Sequence, residues 1–164
     1  MPGYPRRVEL TLETDRPAVI TRPDGGQHVE MAGFGVDSVP GAPRLPTLAC
    51  GVELPLGAAE VRVEVVDDEW MPISGHFRIS PAGAAVHDEP GDEATRTKAV
   101  DAAKLTAKRT QREIYRSDRW HPPGPACLEI VESTSTSVVA GVRVAPVRYN
   151  PERGNLQWTP AVRI

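Results

Sequence analysis

Between Asp92 and His121 the chain runs thirty residues without a proline or a glycine. Elsewhere 17 prolines and 14 glycines interrupt it so often that a long helix fits in no other place. Short strands joined by turns are the outcome such punctuation favours. Within the uninterrupted stretch a helix is expected over Glu93–Arg112, with Ala99, Ala103 and Ala107 aligned at i, i+4 and i+8. Alanine buries little area, so a solvated linker over 92–114 is the competing reading. Seven basic residues (Arg96, Lys98, Lys104, Lys108, Arg109, Arg112, Arg116) face two acidic ones (Asp101, Glu113) between Arg96 and Arg116. The insert is therefore either an exposed connector or a segment offered to an acidic partner surface.

The remainder reads as β-structure. Arg7–Glu13 alternates Val8, Leu10 and Leu12 inward with Glu9, Thr11 and Glu13 outward. Ala18–Thr21, the turn Asp24-Gly25-Gly26 and Gln27–Ala32 form a small meander. Prolines bracket the segment Val39–Pro55, which suits an edge strand or a loop. Glu60–Val66 alternates Val61, Val63 and Val65 with Arg62 and Glu64, as a half-buried strand does, and Trp70–Ile79 continues the pattern. After the rigid turn His121–Pro125, strand character returns in Cys127–Glu132 and Ser137–Tyr149. Tyr149-Asn150-Pro151-Glu152-Arg153-Gly154 then reverses the chain into Asn155–Trp158. Nine or ten short strands without a repeat predict a single all-β domain over 1–164, an antiparallel β-sandwich or jelly-roll-like fold with one short helix.

A formal net charge of −3 gives no electrostatic reason to expect nucleic acid or an anionic membrane as partner. No apolar run reaches the roughly 20 residues needed to span a bilayer, and MPGYPRRVEL lacks a hydrophobic signal core. Cys50 and Cys127, each in a strand-like apolar setting, read as two buried free thiols, with a disulfide as the alternative. Two cysteines do not supply a paired-cysteine zinc site.

His28, His76, His87 and His121 never fall at i, i+4, and there is no Gly-x-Ser-x-Gly or Gly-rich phosphate loop. A Cys–His dyad would need an electropositive, partly exposed thiol, which neither cysteine's neighbourhood suggests. Asp67-Asp68-Glu69 offers oxygen ligands for calcium, although a charged turn between strands is the commoner explanation. Trp70, Trp120 and Trp158 suit either sugar stacking or core and edge packing, and a 5% aromatic content favours packing. Taken alone, the residues describe a binding or structural module without catalytic groups, metal or cofactor. A stand-alone β-sandwich that binds glycan or protein in adhesion is one form it can take.

Three blocks add a resemblance. Gly41-Ala42-Pro43-Arg44-Leu45-Pro46, running on to Glu53-Leu54-Pro55, resembles the G-x-P-x-L-P … I-x-I-P segment of gingipain-type propeptides, the N-terminal prodomains of family C25 cysteine peptidases. Tyr115-Arg116-Ser117-Asp118-Arg119-Trp120-His121-Pro122 resembles their Y-x-S-D-x-x-Y/W-P stretch, with His121 where Tyr or Trp is frequent. Val142–Pro151 resembles their V-x-P-x-Q-Y-N-P hairpin, with Arg148 where glutamine is usual. The blocks keep the family's order across about 40–155. The resemblance implies a β-rich prodomain that assists folding of a caspase-like catalytic domain and inhibits it by covering the active site until removed. It implies export to the periplasm or beyond, and a C25-type catalytic domain as partner, in cis or as a cleaved complex. The family's catalytic His and Cys would lie beyond Ile164. Arg96 and Lys98 in the basic insert are the candidates for the inhibitory loop that enters the specificity pocket.

Overall fold

The computed structural model describes residues 7–37, 39–58, 60–66, 68–84 and 92–164. His87 and Asp67, considered above as ligands, lie outside them. The elements run β1 (Thr11–Glu13), β2 (Ala18–Thr21), β3 (Gln27–Glu30), β4 (Gly35–Val36), β5 (Pro46–Pro55), β6 (Met71–Ile73), α1 (Glu93–Tyr115), β7 (Ala126–Ser133), β8 (Ser137–Val144), β9 (Val147–Asn150), β10 (Asn155–Trp158) and β11 (Ala161–Arg163). The architecture is all-β and sandwich-like, with antiparallel strand pairs and one helix among the described residues.

Two apolar clusters hold it. The first lies between the β2–β3 ribbon and the β6–β10–β9 sheet, where Val29, Leu45, Ile79, Val147, Tyr149 and Leu156 are buried. The second lies between the β4–β5–β8–β7 sheet and the β1–β11 ribbon, around Val142, Val144 and Val162. Phe34 packs against both. The strict alternation of Val138, Ala140, Val142 and Val144 on β8 turns these four side chains to the buried face, as period-2 geometry requires. Pro146 ends that strand, and the chain crosses to the other sheet before resuming as β9. The long strand expected over Ser137–Tyr149 is thus two strands in different sheets.

Three other expectations are settled or change. Pro46–Pro55 is a strand and not a loop: β5 pairs with β8 along Leu48–Pro55, while the two-residue β4 covers its other side only at Pro46 and Thr47, so most of β5 is an edge, with its prolines confined to the two ends where a missing N–H breaks little of the ladder. Glu60–Val66 keeps its alternating exposure but makes no regular ladder; its Val66 N–H donates to the Arg163 carbonyl at 2.9 Å. Val8 and Leu10 are not inward strand residues. They flank an open groove of about 810 Å³ with Leu54, Leu56, Val63 and Ile164.

Both cysteines are free, but they are not both buried. Cys50 is half-buried, whereas Cys127 is exposed because it sits on the outer face of β7, the edge strand of its sheet. Its register partner Arg143 is ion-paired to Asp37 and Glu129. A bulge between Leu128 and Ile130 interrupts that edge, a feature that discourages a further strand from adding there.

Candidate functional site

The basic insert is helical. Asp92 caps it: its Oδ1 accepts from the Thr95 N–H at 2.8 Å, and that bond holds the Asp92 carboxyl below its ordinary value. Glu93 in the first turn and Arg112 in the last complement the helix dipole. At the far end the Arg116 N–H donates to the Arg112 carbonyl and the Ser117 N–H to that of Ile114, which closes the last turn. The helix reaches Tyr115, three residues beyond the expected Arg112.

Its inner stripe is Val100, Ala103, Ala107, Thr110 and Ile114, all half-buried at alternating spacings of three and four. The expected Ala99 is exposed and Val100 takes its place, because the larger side chain on that turn gains more by facing the body. From Asp92 to Ala99 every residue is exposed. The first two turns, about 10 Å of helix, therefore stand clear of the described body.

The C-terminal half is seated on a junction built from all three sequence blocks. Gly41, at φ +85°, passes so close beneath the helix that a β-carbon there would collide with the Ala107 carbonyl oxygen. Tyr115 drops into the first core: its hydroxyl donates to the Ile79 carbonyl at 2.6 Å, and its ring meets that of Tyr149 edge-on, 6.3 Å between centroids. Burial, and secondarily the neighbouring Tyr149, push the Tyr115 phenol well above its ordinary value. Tyr149 in turn donates to the Phe77 carbonyl at 2.9 Å. Just past the helix, Asp118 receives Asn150 Nδ2 at 2.8 Å and a two-pronged contact from Arg153, while His121 and Tyr149 exchange backbone hydrogen bonds.

Arg96 and Lys98 thus lie on the projecting turns, both exposed. The helix does not bring them together. Two residues apart on a helix is about 200° of rotation, so the side chains leave on nearly opposite sides. Arg96 continues the line of the inner stripe, four residues before Val100, and Lys98 points away from the body.

Sequence reasoning missed a clamp on the opposite side of the hairpin. The Arg148 guanidinium lies 4.1 Å from the Trp70 ring centroid and 4.9 Å from that of Trp120, and its Nε donates to Gln157 at 2.8 Å. Trp70 Nε1 donates to Asp68, whose carboxylate helps offset the charge. One face of each indole is therefore occupied by the chain's own arginine. The signal was present in Arg148 standing where glutamine is usual, but nothing in the spacing located its aromatic partners. Trp158 packs against the first core.

No protein-family model matches the chain, and no characterised protein matches it in sequence. Among solved structures it is similar to the complex of Porphyromonas gingivalis RgpB pro- and mature domains, with a TM-score of 0.65 and 18% identity, over 94% of this chain and 76% of that one. It is similar also to a structure addressing the zymogenic latency of gingipain K from Porphyromonas gingivalis, with a TM-score of 0.62 and 15% identity, over 94% and 82% of the two chains. At these identities the likeness is one of fold, and the fold is the gingipain-propeptide type that the ordered blocks suggest.

Proposed function

We propose that the chain, as one unit over 1–164, is the prodomain of a gingipain-like C25 cysteine peptidase, acting as intramolecular chaperone and as an inhibitor that covers the active site until removed. The observation that carries this reading is the shared fold with structures of gingipain pro-domains. The meeting of the three resembling blocks at the seat of α1 supports it, since those residues build one junction and are not scattered likenesses.

In this reading the projecting turns of α1 approach the cleft. A cation from Arg96 or Lys98 entering a pocket with a carboxylate at its base makes a charge-assisted contact. The helix lowers the entropic penalty of holding it there. Because the two side chains diverge, one enters the pocket and the other remains on its rim. Binding only the folded catalytic domain would also favour its folding by mass action. The catalytic groups belong to the partner.

Hydrogen exchange with and without a C25-type catalytic domain, its nucleophile replaced, tests the placement. Protection is expected over 92–99. Protection confined to the β-sheets would exclude the helix as the contacting element.

A further inference from the structure

The outer side of α1 carries a second surface, one that is left free when Arg96 is the cation in the pocket. Leu105 is 70% exposed, the most exposed of the large apolar side chains among the described residues. Within about 60° of it around the helix lie Lys98, Lys108, Arg109, Arg112 and Arg116, with Asp101 as the acid in the same arc. Arg109 pairs with Glu113 at 3.0 Å; the other four cations have no ion-pair partner among the described residues. This face gathers five of the chain's 19 lysines and arginines against one acid, while the chain as a whole is net −3.

We infer that this face docks along an acidic protein surface that has an apolar socket for Leu105. A run of unneutralised cations around one exposed leucine fits a contact in which complementary charge steers the approach and burial of the leucine adds to it. Nucleic acid fits less well, because the remaining surface is predominantly acidic and phosphates offer nothing to Leu105. A lipid surface fits less well too. An interfacial helix turns its apolar stripe outward, and here Val100, Ala103, Ala107 and Ile114 face the body.

The inference rests on the prodomain reading and supplies the flanking contact beside the cleft. The test is the affinity for a nucleophile-replaced C25-type catalytic domain at about 50 and about 300 mM salt, a range over which screening separates exposed charge pairs from buried ones. Leu105→Ser and the double variant Lys108→Glu/Arg112→Glu are expected to weaken binding about tenfold or more, and the double variant to flatten the salt dependence. Arg22→Glu, a reversal at an exposed cation far along the chain, is expected to leave it unchanged. All of these positions are exposed, and helical circular dichroism checks that α1 survives. Wild-type binding that neither variant disturbs overturns the docking face and leaves the prodomain reading standing. No binding by the wild type overturns both. Retention on duplex DNA or phosphatidylserine vesicles that the double variant abolishes, with peptidase binding unaffected, assigns the face to that other partner.

Discussion

Asp118 and Arg153, 35 residues apart in sequence, meet in a two-pronged ion pair: Arg153 Nε donates to Oδ1 at 2.7 Å and Nη2 to Oδ2 at 2.6 Å. Asn150 donates to the same Oδ1, so one carboxylate ties the end of α1 to the β9–β10 turn. The Arg153 and Asn150 hydrogen bonds hold the Asp118 carboxyl below its ordinary value of 3.8. A lowered pKa means that the folded state binds the proton less readily than the unfolded one. The contribution is therefore present above that ordinary value and is lost as pH falls through the folded value. Asp118→Asn is expected to lower the melting temperature at neutral pH and to reduce the loss of stability on acidification. Thermal melts at pH 7 and pH 3 measure both. The pair is solvent-exposed, so the effect is smaller than its geometry suggests.

Gly41 is expected to be intolerant for two separable reasons. An alanine at φ +85° is strained by about 1–2 kcal/mol whatever surrounds it. Its β-carbon would also collide with the Ala107 carbonyl and lever α1 off its seat. Gly25, at φ +81° with open space around it, isolates the first effect. Chemical denaturation should show Gly41→Ala destabilising clearly more than Gly25→Ala. Equal losses would mean that the helix is not seated as described.

Tyr115→Phe removes one hydrogen bond and keeps the ring. The expected loss is about 1 kcal/mol, or about 3 °C in melting temperature for a chain of this size. The raised phenol pKa has the opposite sign to that of Asp118. Its contribution is fully present below the ordinary value of 10.0 and fades as pH rises above it. Wild-type melts at pH 8 and pH 11 should differ more than those of Tyr115→Phe.

The periodic elements were legible because their pattern is local. Ala18–Thr21, the start of β3 at Gln27, the β9–β10 hairpin and the helix within the Pro- and Gly-free stretch follow from alternation, turn residues and punctuation. The assembly was less legible, since it depends on residues far apart in the chain. Nothing near Cys127 says that β7 is an edge strand, and nothing near Pro46 says that β5 pairs with the distant β8. Glu60–Val66 has a strand's periodicity, yet periodicity records which side is apolar and not whether a neighbour pairs. For the candidate site, the basic charge of the insert could be read directly. The divergence of Arg96 and Lys98 could not, until linker and helix were told apart.

Arg148 is held between two indoles, and Arg148→Ala is expected to destabilise the fold by about 1–2 kcal/mol, given cation–π contacts that are partly desolvated. Losing the guanidinium exposes one face each of Trp70 and Trp120 to water. A red shift in native tryptophan emission should accompany the stability loss. An unchanged emission maximum would contradict the clamp.

Inhibition of a peptidase is read from the initial rate of a C25-type catalytic domain as this chain is titrated into it. The rate is expected to fall toward zero with an inhibition constant below about 1 μM. Whichever of Arg96→Ala and Lys98→Ala removes the inserted cation should raise that constant about tenfold or more. Full activity at concentrations well above that constant, with the chain folded throughout, would contradict the account; inhibition that neither substitution alters would contradict only the assignment of the helix tip.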